Sequence, residues 1–202
     1  SEMCIRDRNI YSMMQESVGV WQQKQEDKMS EVEKYIKSIP DFPQPGIIFR
    51  DVTSVTEDPE GMKLAIDEMD KLLDGVDYDV IAGAESRGFI FGAPLAYKNG
   101  KGLVLVRKKG KLPRETVEMS YDLEYGQATI EIHKDSIKPG EKVVLVDDLI
   151  ATGGTIEAAA KLIESLGGIV VKMVFLIELT DLKGRERLSK YDIASVVQFD
   201  GE

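Results

Sequence analysis

Cysteine and histidine are almost missing from this 202-residue chain, which holds one of each, Cys4 and His133. A single cysteine excludes a disulfide within the chain and fits a reducing compartment, so a cytoplasmic location is expected. A single histidine excludes a histidine-rich metal site and leaves Ser-His-Asp or Cys-His arrangements only His133 to draw on. His133 is expected on a solvent-facing hairpin strand, with no ligand role. An excess of positive charge is missing too: 26 Lys and Arg stand against 36 Asp and Glu, a formal net charge of −10. That balance argues against general nucleic-acid binding, which needs a basic face. No apolar run approaches the roughly 20 residues that span a bilayer, so no membrane partner is expected.

What is present is a globular profile, 43% apolar and 31% charged, in a length that suits one α/β domain. Residues 1–28 stand apart. They show no clear strand period and no secretory pattern, and MCIRDR (Met3 to Arg8) resembles a translated sequencing adapter. They are expected to be a gene-model artefact or a disordered tail, with 29–202 forming a single domain.

From Met29 onward the periodicity speaks. Val32, Tyr35, Ile36 and Ile39 share one helical face, and Pro40 ends that helix. Asp58 is a candidate N-cap with Pro59 at the first helical position, followed by Met62, Ala65, Ile66, Met69, Leu72 and Leu73 at helical spacing. DVIAGA, GLVLVR, KVVLV, IVVKMVFLIEL and ASVVQF read as strands, FIFGAPLAYK and TIEAAAKLIESLGG as helices, and SYDLEYGQATIEIHKD as a hairpin turning near Tyr125–Gly126. Continuous apolar strands alternating with helices imply an α/β fold, a mainly parallel twisted sheet flanked by helices.

The chemistry concentrates in VVLVDDLIATGGT, Val143 to Thr155. Two adjacent carboxylates, Asp147 and Asp148, close a buried strand, and ligands of open α/β sheets sit beyond such strand ends. The loop Ala151, Thr152, Gly153, Gly154, Thr155 then opens a helix whose free N–H groups and dipole favour a phosphate. No lysine follows the glycines, which separates the loop from the ATP-binding G-x-x-x-x-G-K-[ST], and it is not G-x-G-x-x-G either. A loop for a terminal phosphate beside two hydroxyl acceptors fits a ribose 5-phosphate.

That string closely resembles the phosphoribosyl-diphosphate (PRPP) motif of type I phosphoribosyltransferases. FPQPGIIFRDVT, GAESRGFIFGAPLA, VRKKGKLP, YDLEYGQATIEIHKDSI and ELTDLKGRERL, in this order, resemble the adenine phosphoribosyltransferases of that family. The resemblance runs from about Ile36 to Gln198. It implies transfer of the 5-phosphoribosyl group of PRPP to adenine with Mg²⁺, giving AMP and pyrophosphate. It also implies a small hood and a hairpin lid on the sheet, and a homodimer.

By the same resemblance, residues 151–155 hold the 5-phosphate, and Asp147 and Asp148 accept from the ribose hydroxyls. Glu85, Ser86 and Arg87 face the diphosphate, with a non-proline cis peptide at Glu85–Ser86. Glu85 is a mild departure, since Asp often stands there. Arg107, Lys108 and Lys111 attract the polyanion, from a loop (107–114) that reaches the neighbouring subunit. Lys109 and Arg114 are left as solvated. Glu124 is the candidate acid/base for adenine and Tyr125 a shield. Ile48, Phe49, Arg50 and Leu179 are assigned to the base. The resemblance places Mg²⁺ on the diphosphate, with no direct protein ligand assigned. The absence of a lysine between Glu178 and Asp181 favours a 6-aminopurine. Two alternatives stay open: another purine such as xanthine or hypoxanthine, and a non-catalytic PRPP-sensing regulator.

Overall fold

Apolar segments that are continuous in sequence become the inner strands of one sheet. The computed structural model describes residues 30–122 and 126–200; the extension 1–28 and the residues Leu123, Glu124 and Tyr125 lie outside them. In chain order the elements are β1 (Lys37–Pro40), β2 (Ile48–Asp51), α1 (Thr53–Glu57), α2 (Pro59–Lys71), β3 (Val80–Ala84), α3 (Gly88–Lys98) and β4 (Gly102–Lys108). There follow β5 (Thr116–Asp122), β6 (Gln127–His133), β7 (Lys142–Ile150), α4 (Gly154–Ser165), β8 (Ile169–Leu179), α5 (Gly184–Arg187) and β9 (Ile193–Phe199).

Seven strands form the main sheet in the order β5-β6-β4-β3-β7-β8-β9. β4, β3, β7, β8 and β9 run parallel, while β6 joins β4 antiparallel and β5 pairs antiparallel with β6. The parallel strands are covered on both faces, which is why they carry no polar alternation. β7 shows this residue by residue. Val143 and Leu145 join the cluster that holds Ile156, Ala159 and Ile163 of α4. Val144 and Val146 join the opposite cluster, with Met69 of α2 and Phe91 and Leu95 of α3.

A two-stranded antiparallel sheet, β1 with β2, forms the hood. Here the structure corrects the sequence reading of 31–39. Only Glu31–Tyr35 coils, as a 3₁₀ turn capped by the Ser30 side chain, and the chain then extends as β1. Ser54 is the physical reason. Its hydroxyl accepts from the Lys37 N–H (3.0 Å) and donates to the Tyr35 carbonyl (2.7 Å), so the groups a helix would use are taken. Ile39 is consequently exposed rather than part of a buried face. The Asp58 cap is as read: its carboxylate accepts from the N–H groups of Glu60 and Gly61, both at 2.9 Å, with Pro59 in the first turn. His133 is partly exposed on β6, and Arg114 lies against its ring, Nη2 to Nδ1 3.0 Å.

Candidate active site

Parallel pairing of β3 with β7, Gly83 opposite Val146, delivers two loops to the same end of the sheet. Residues 85–87 follow β3; residues 151–153 follow β7. Together with the end of β7 and the first turn of α4 they line one cleft of about 230 Å³, bounded by residues 85–87 and 147–156. The Glu85–Ser86 peptide is cis, as the resemblance implied. Gly88 lets the two loops close up. A Cβ there would lie 2.6 Å from the Val146 carbonyl oxygen and 3.0 Å from the Asp147 carboxylate.

The electrostatics of the cleft are set by an acidic pair, Asp148 buried and Asp147 half-buried, and one cation. Asp147 Oδ1 accepts from the N–H of Asp148 at 2.9 Å. The Arg87 guanidinium lies 2.9 Å from Asp148 Oδ2, an ion pair between a half-exposed cation and a buried anion. That oxygen has no aligned hydrogen bond, so acceptor capacity remains. Burial raises the pKa of Asp147 well above the usual carboxylate value, and Asp148 adds to the rise. Burial raises Asp148 as well, with Arg87 opposing. The sequence reading gave Arg87 to the diphosphate and the aspartates to hydroxyls; the structure shows that these groups are also bound to each other.

The phosphate-type loop is held from behind by a segment that the sequence reading quoted without giving it a role. Gly153 adopts φ 79°, which a residue with a Cβ enters only with strain. Its own Cβ would meet the Gly184 carbonyl oxygen at 3.1 Å. Gly184, at the start of α5, presses on the Ala151 carbonyl; a Cβ there would sit well inside contact distance of that oxygen and 2.8 Å from the Ile150 side chain. Two ion pairs fix α5 in place. Arg187 Nε donates to Glu157 of α4 at 2.7 Å. Arg185 forks onto buried Glu178, Nε at 2.9 Å and Nη2 at 2.5 Å. An isolated glycine inside KGRERL was the available signal.

The basic loop after β4 is clipped at both ends. Glu85 Oε2 accepts from the Lys108 N–H (2.7 Å) and from Arg107 Nε (3.3 Å). Buried Glu131 accepts from the N–H groups of Lys111 (2.8 Å) and Leu112 (2.9 Å). Burial pushes the Glu131 carboxyl up, but the Leu112, Gly110 and Lys111 N–H groups outweigh it and hold the pKa below the ordinary value. Lys109 pairs with Glu118 on the surface and Arg114 with Asp135.

The residues assigned to the base do not line this cleft. Phe49 packs edge-on to Phe42, centroids 5.2 Å apart. Arg50 bonds Ser38 in the hood and stacks over the Phe199 ring at 4.0 Å. Phe199 is the β9 neighbour of Leu179, so Arg50 and Leu179 meet through a residue that the sequence reading missed. Ile48 is partly exposed on the hood.

A phosphate-type loop, an acidic pair and an arginine on this sheet define a phosphoribosyltransferase, and the family described as "phosphoribosyl transferase domain" matches residues 52–200. An adenine phosphoribosyltransferase of Butyrivibrio fibrisolvens is 74% identical over 174 residues, 86% of this chain and 96% of the relative. One from Agathobacter rectalis is 69% identical, over 86% of this chain and all of the relative. The crystal structure of the Thermoanaerobacter pseudethanolicus adenine phosphoribosyltransferase superposes with a TM-score of 0.81 at 54% identity, covering 84% of this chain and 98% of that one. The chain belongs to the adenine phosphoribosyltransferase family.

Proposed function

We infer that this protein transfers the 5-phosphoribosyl group of PRPP to adenine, forming AMP and pyrophosphate in purine salvage. The observation that carries this reading is the cleft that joins Asp147, Asp148, Arg87 and residues 151–155. The yeast relative (Saccharomyces cerevisiae), 38% identical with a TM-score of 0.78 over 83% of this chain and 97% of that one, was crystallised with an imino-altritol bisphosphate and adenine, which supports the same pairing of ligands.

In the mechanism we propose, the N–H groups of residues 151–155 hold the 5-phosphate at the N-terminus of α4. Asp147 and Asp148 accept from the ribose hydroxyls, and their charge stabilises the cationic character that grows at C1. Arg87, with Ser86 beside it, takes the departing diphosphate, aided by Arg107, Lys108 and Lys111 from the loop clipped to Glu85 and Glu131. Glu124 exchanges the proton of the base, with Tyr125 shielding the site. Ile48, Phe49, Arg50 and Leu179 frame adenine between the hood and the β8 end.

Among the described residues no group of three or more His, Cys, Asp or Glu could hold a metal alone. The donor set fits Mg²⁺ carried by the diphosphate, with Asp147 and Asp148 lining the same cleft. Held there, Mg²⁺ would supply charge neutralisation on the leaving group.

A homodimer belongs to the same proposal. Ile90 and Tyr97 leave an apolar stripe on the outer face of α3, Tyr97 being 90% exposed. A loop held at 107–108 and 111–112 can project its cations toward a second copy. A cytoplasmic location is supported by the single cysteine. Among the described residues no helix is long and apolar enough to cross a membrane.

The test is pyrophosphate release from PRPP and Mg²⁺ with each purine in turn. Turnover with adenine alone is expected. Comparable turnover with hypoxanthine or xanthine would reassign the base, and PRPP binding without turnover on any base would make the protein a sensor. Glu124→Gln should lower kcat with adenine by about 10²–10⁴-fold, the usual worth of a general acid/base; full turnover would remove Glu124 from the mechanism.

A further inference from the structure

Tyr121 is the last but one residue of β5, and it does not line the cleft. Val117, Met119 and Tyr121 alternate on the inward face of β5 and pack on the core around α4. A tyrosine among apolar neighbours needs a partner for its hydroxyl. It has one: Thr155 Oγ1 donates to Tyr121 Oη at 3.1 Å, across 34 residues of sequence. Thr155 stands in the first turn of α4 and lines the cleft at the phosphate-type loop.

We propose that Tyr121 is a positioning residue for the 5-phosphate, acting through the hydroxyl of Thr155. Each of the two hydroxyls has one proton and can both donate and accept. In the structure the threonine proton lies in that contact; an anion in the cleft draws it away, and the bond reverses so that Tyr121 donates to Thr155. The phenol is the more acidic partner, which favours this direction once an anion draws on the threonine. The relay holds Thr155 in one rotamer, so the hydroxyl meets the phosphate without an ordering cost at binding. It also ties the hairpin arm to the phosphate loop by a side-chain bond that ring packing alone would not supply. The proposal rests on the reading of residues 151–155 as the 5-phosphate site.

Tyr121→Phe keeps the ring and removes only the hydroxyl. It should raise the KM for PRPP about 5- to 10-fold, the scale of one hydrogen bond, with kcat and the KM for adenine within about twofold of the parent. Thr155→Val should raise the same KM at least as much, and the double variant should add little, since the two hydroxyls act as one unit. Melting temperatures are read alongside. A Tyr121→Phe protein that melts lower but keeps the parental KM for PRPP overturns the relay while leaving the phosphate site standing. A Thr155→Val protein with the parental KM overturns the phosphate-site reading, and the relay with it.

Discussion

Gly184→Ala should cost at least about 100-fold in kcat/KM for PRPP, the scale expected when catalytic groups are misplaced by about 1 Å. The new methyl would fall on the Ala151 carbonyl oxygen and 2.8 Å from the Ile150 side chain. Neither can yield cheaply. Ala151 opens the phosphate-type loop, and Ile150 is fully buried at the end of β7. Nor can α5 retreat easily, because Arg187 and Arg185 clamp it to Glu157 and Glu178. The displaced element is therefore the loop proposed to hold the 5-phosphate. Steady-state kinetics with PRPP and adenine varied separately would show it, as a KM effect on PRPP far larger than on adenine. A variant with parental kinetics would show that α5 gives way instead.

Arg87→Met should lower kcat/KM by about 10²–10³-fold at neutral pH, the range seen when one charge-stabilising donor is lost. It should also change the pH profile in a set direction. Asp147 and Asp148 have folded pKa values raised from 3.8, by burial first, and Arg87 opposes the rise on both. Without the guanidinium both values climb further. The ionised pair then forms only at higher pH, so the acid limb of kcat/KM moves upward. Stability follows the same sign. A carboxyl whose folded pKa is raised binds its proton more tightly folded than unfolded, so the folded state loses stability as pH rises from the unfolded value through the folded one. The melting-temperature gap between parent and Arg87→Met should therefore be widest near neutral pH and shrink on acidification. A gap independent of pH would separate Arg87 from the acidic pair.

Much of this site was legible because its parts are contiguous. Asp147, Asp148 and residues 151–155 lie on one strand, loop and helix start, so a single stretch of sequence carried their chemistry. The parallel core was legible for a related reason: strands covered on both faces carry unbroken apolar runs, as in Val143 to Val146. What sequence could not supply was contact across the fold. Gly184 is an ordinary loop glycine until Ala151 is known to lie against it. Tyr121 is an ordinary strand residue until Thr155 is placed opposite its hydroxyl. The one misread element, 31–39, failed in the same way. Val32, Tyr35 and Ile36 do keep helical spacing, but Ser54, 17 residues beyond Lys37, claims the backbone groups on which continuation depended.

The parallel pairing of β3 with β7 has a consequence for how the protein comes to exist. The cleft joins residues 85–87 to residues 147–156, about sixty positions apart, through strands that close no local turn. Contacts of that separation are slow to form, because loop-closure entropy is lost before they reward it. Neither half of the chain alone can set the arginine against the aspartates, so the whole cleft exists only in the completed sheet. Any ligand that binds only the completed cleft draws the folding equilibrium toward the folded chain by mass action. PRPP, as the ligand proposed for this cleft, is therefore expected to raise the melting temperature of the chain as well as to react on it.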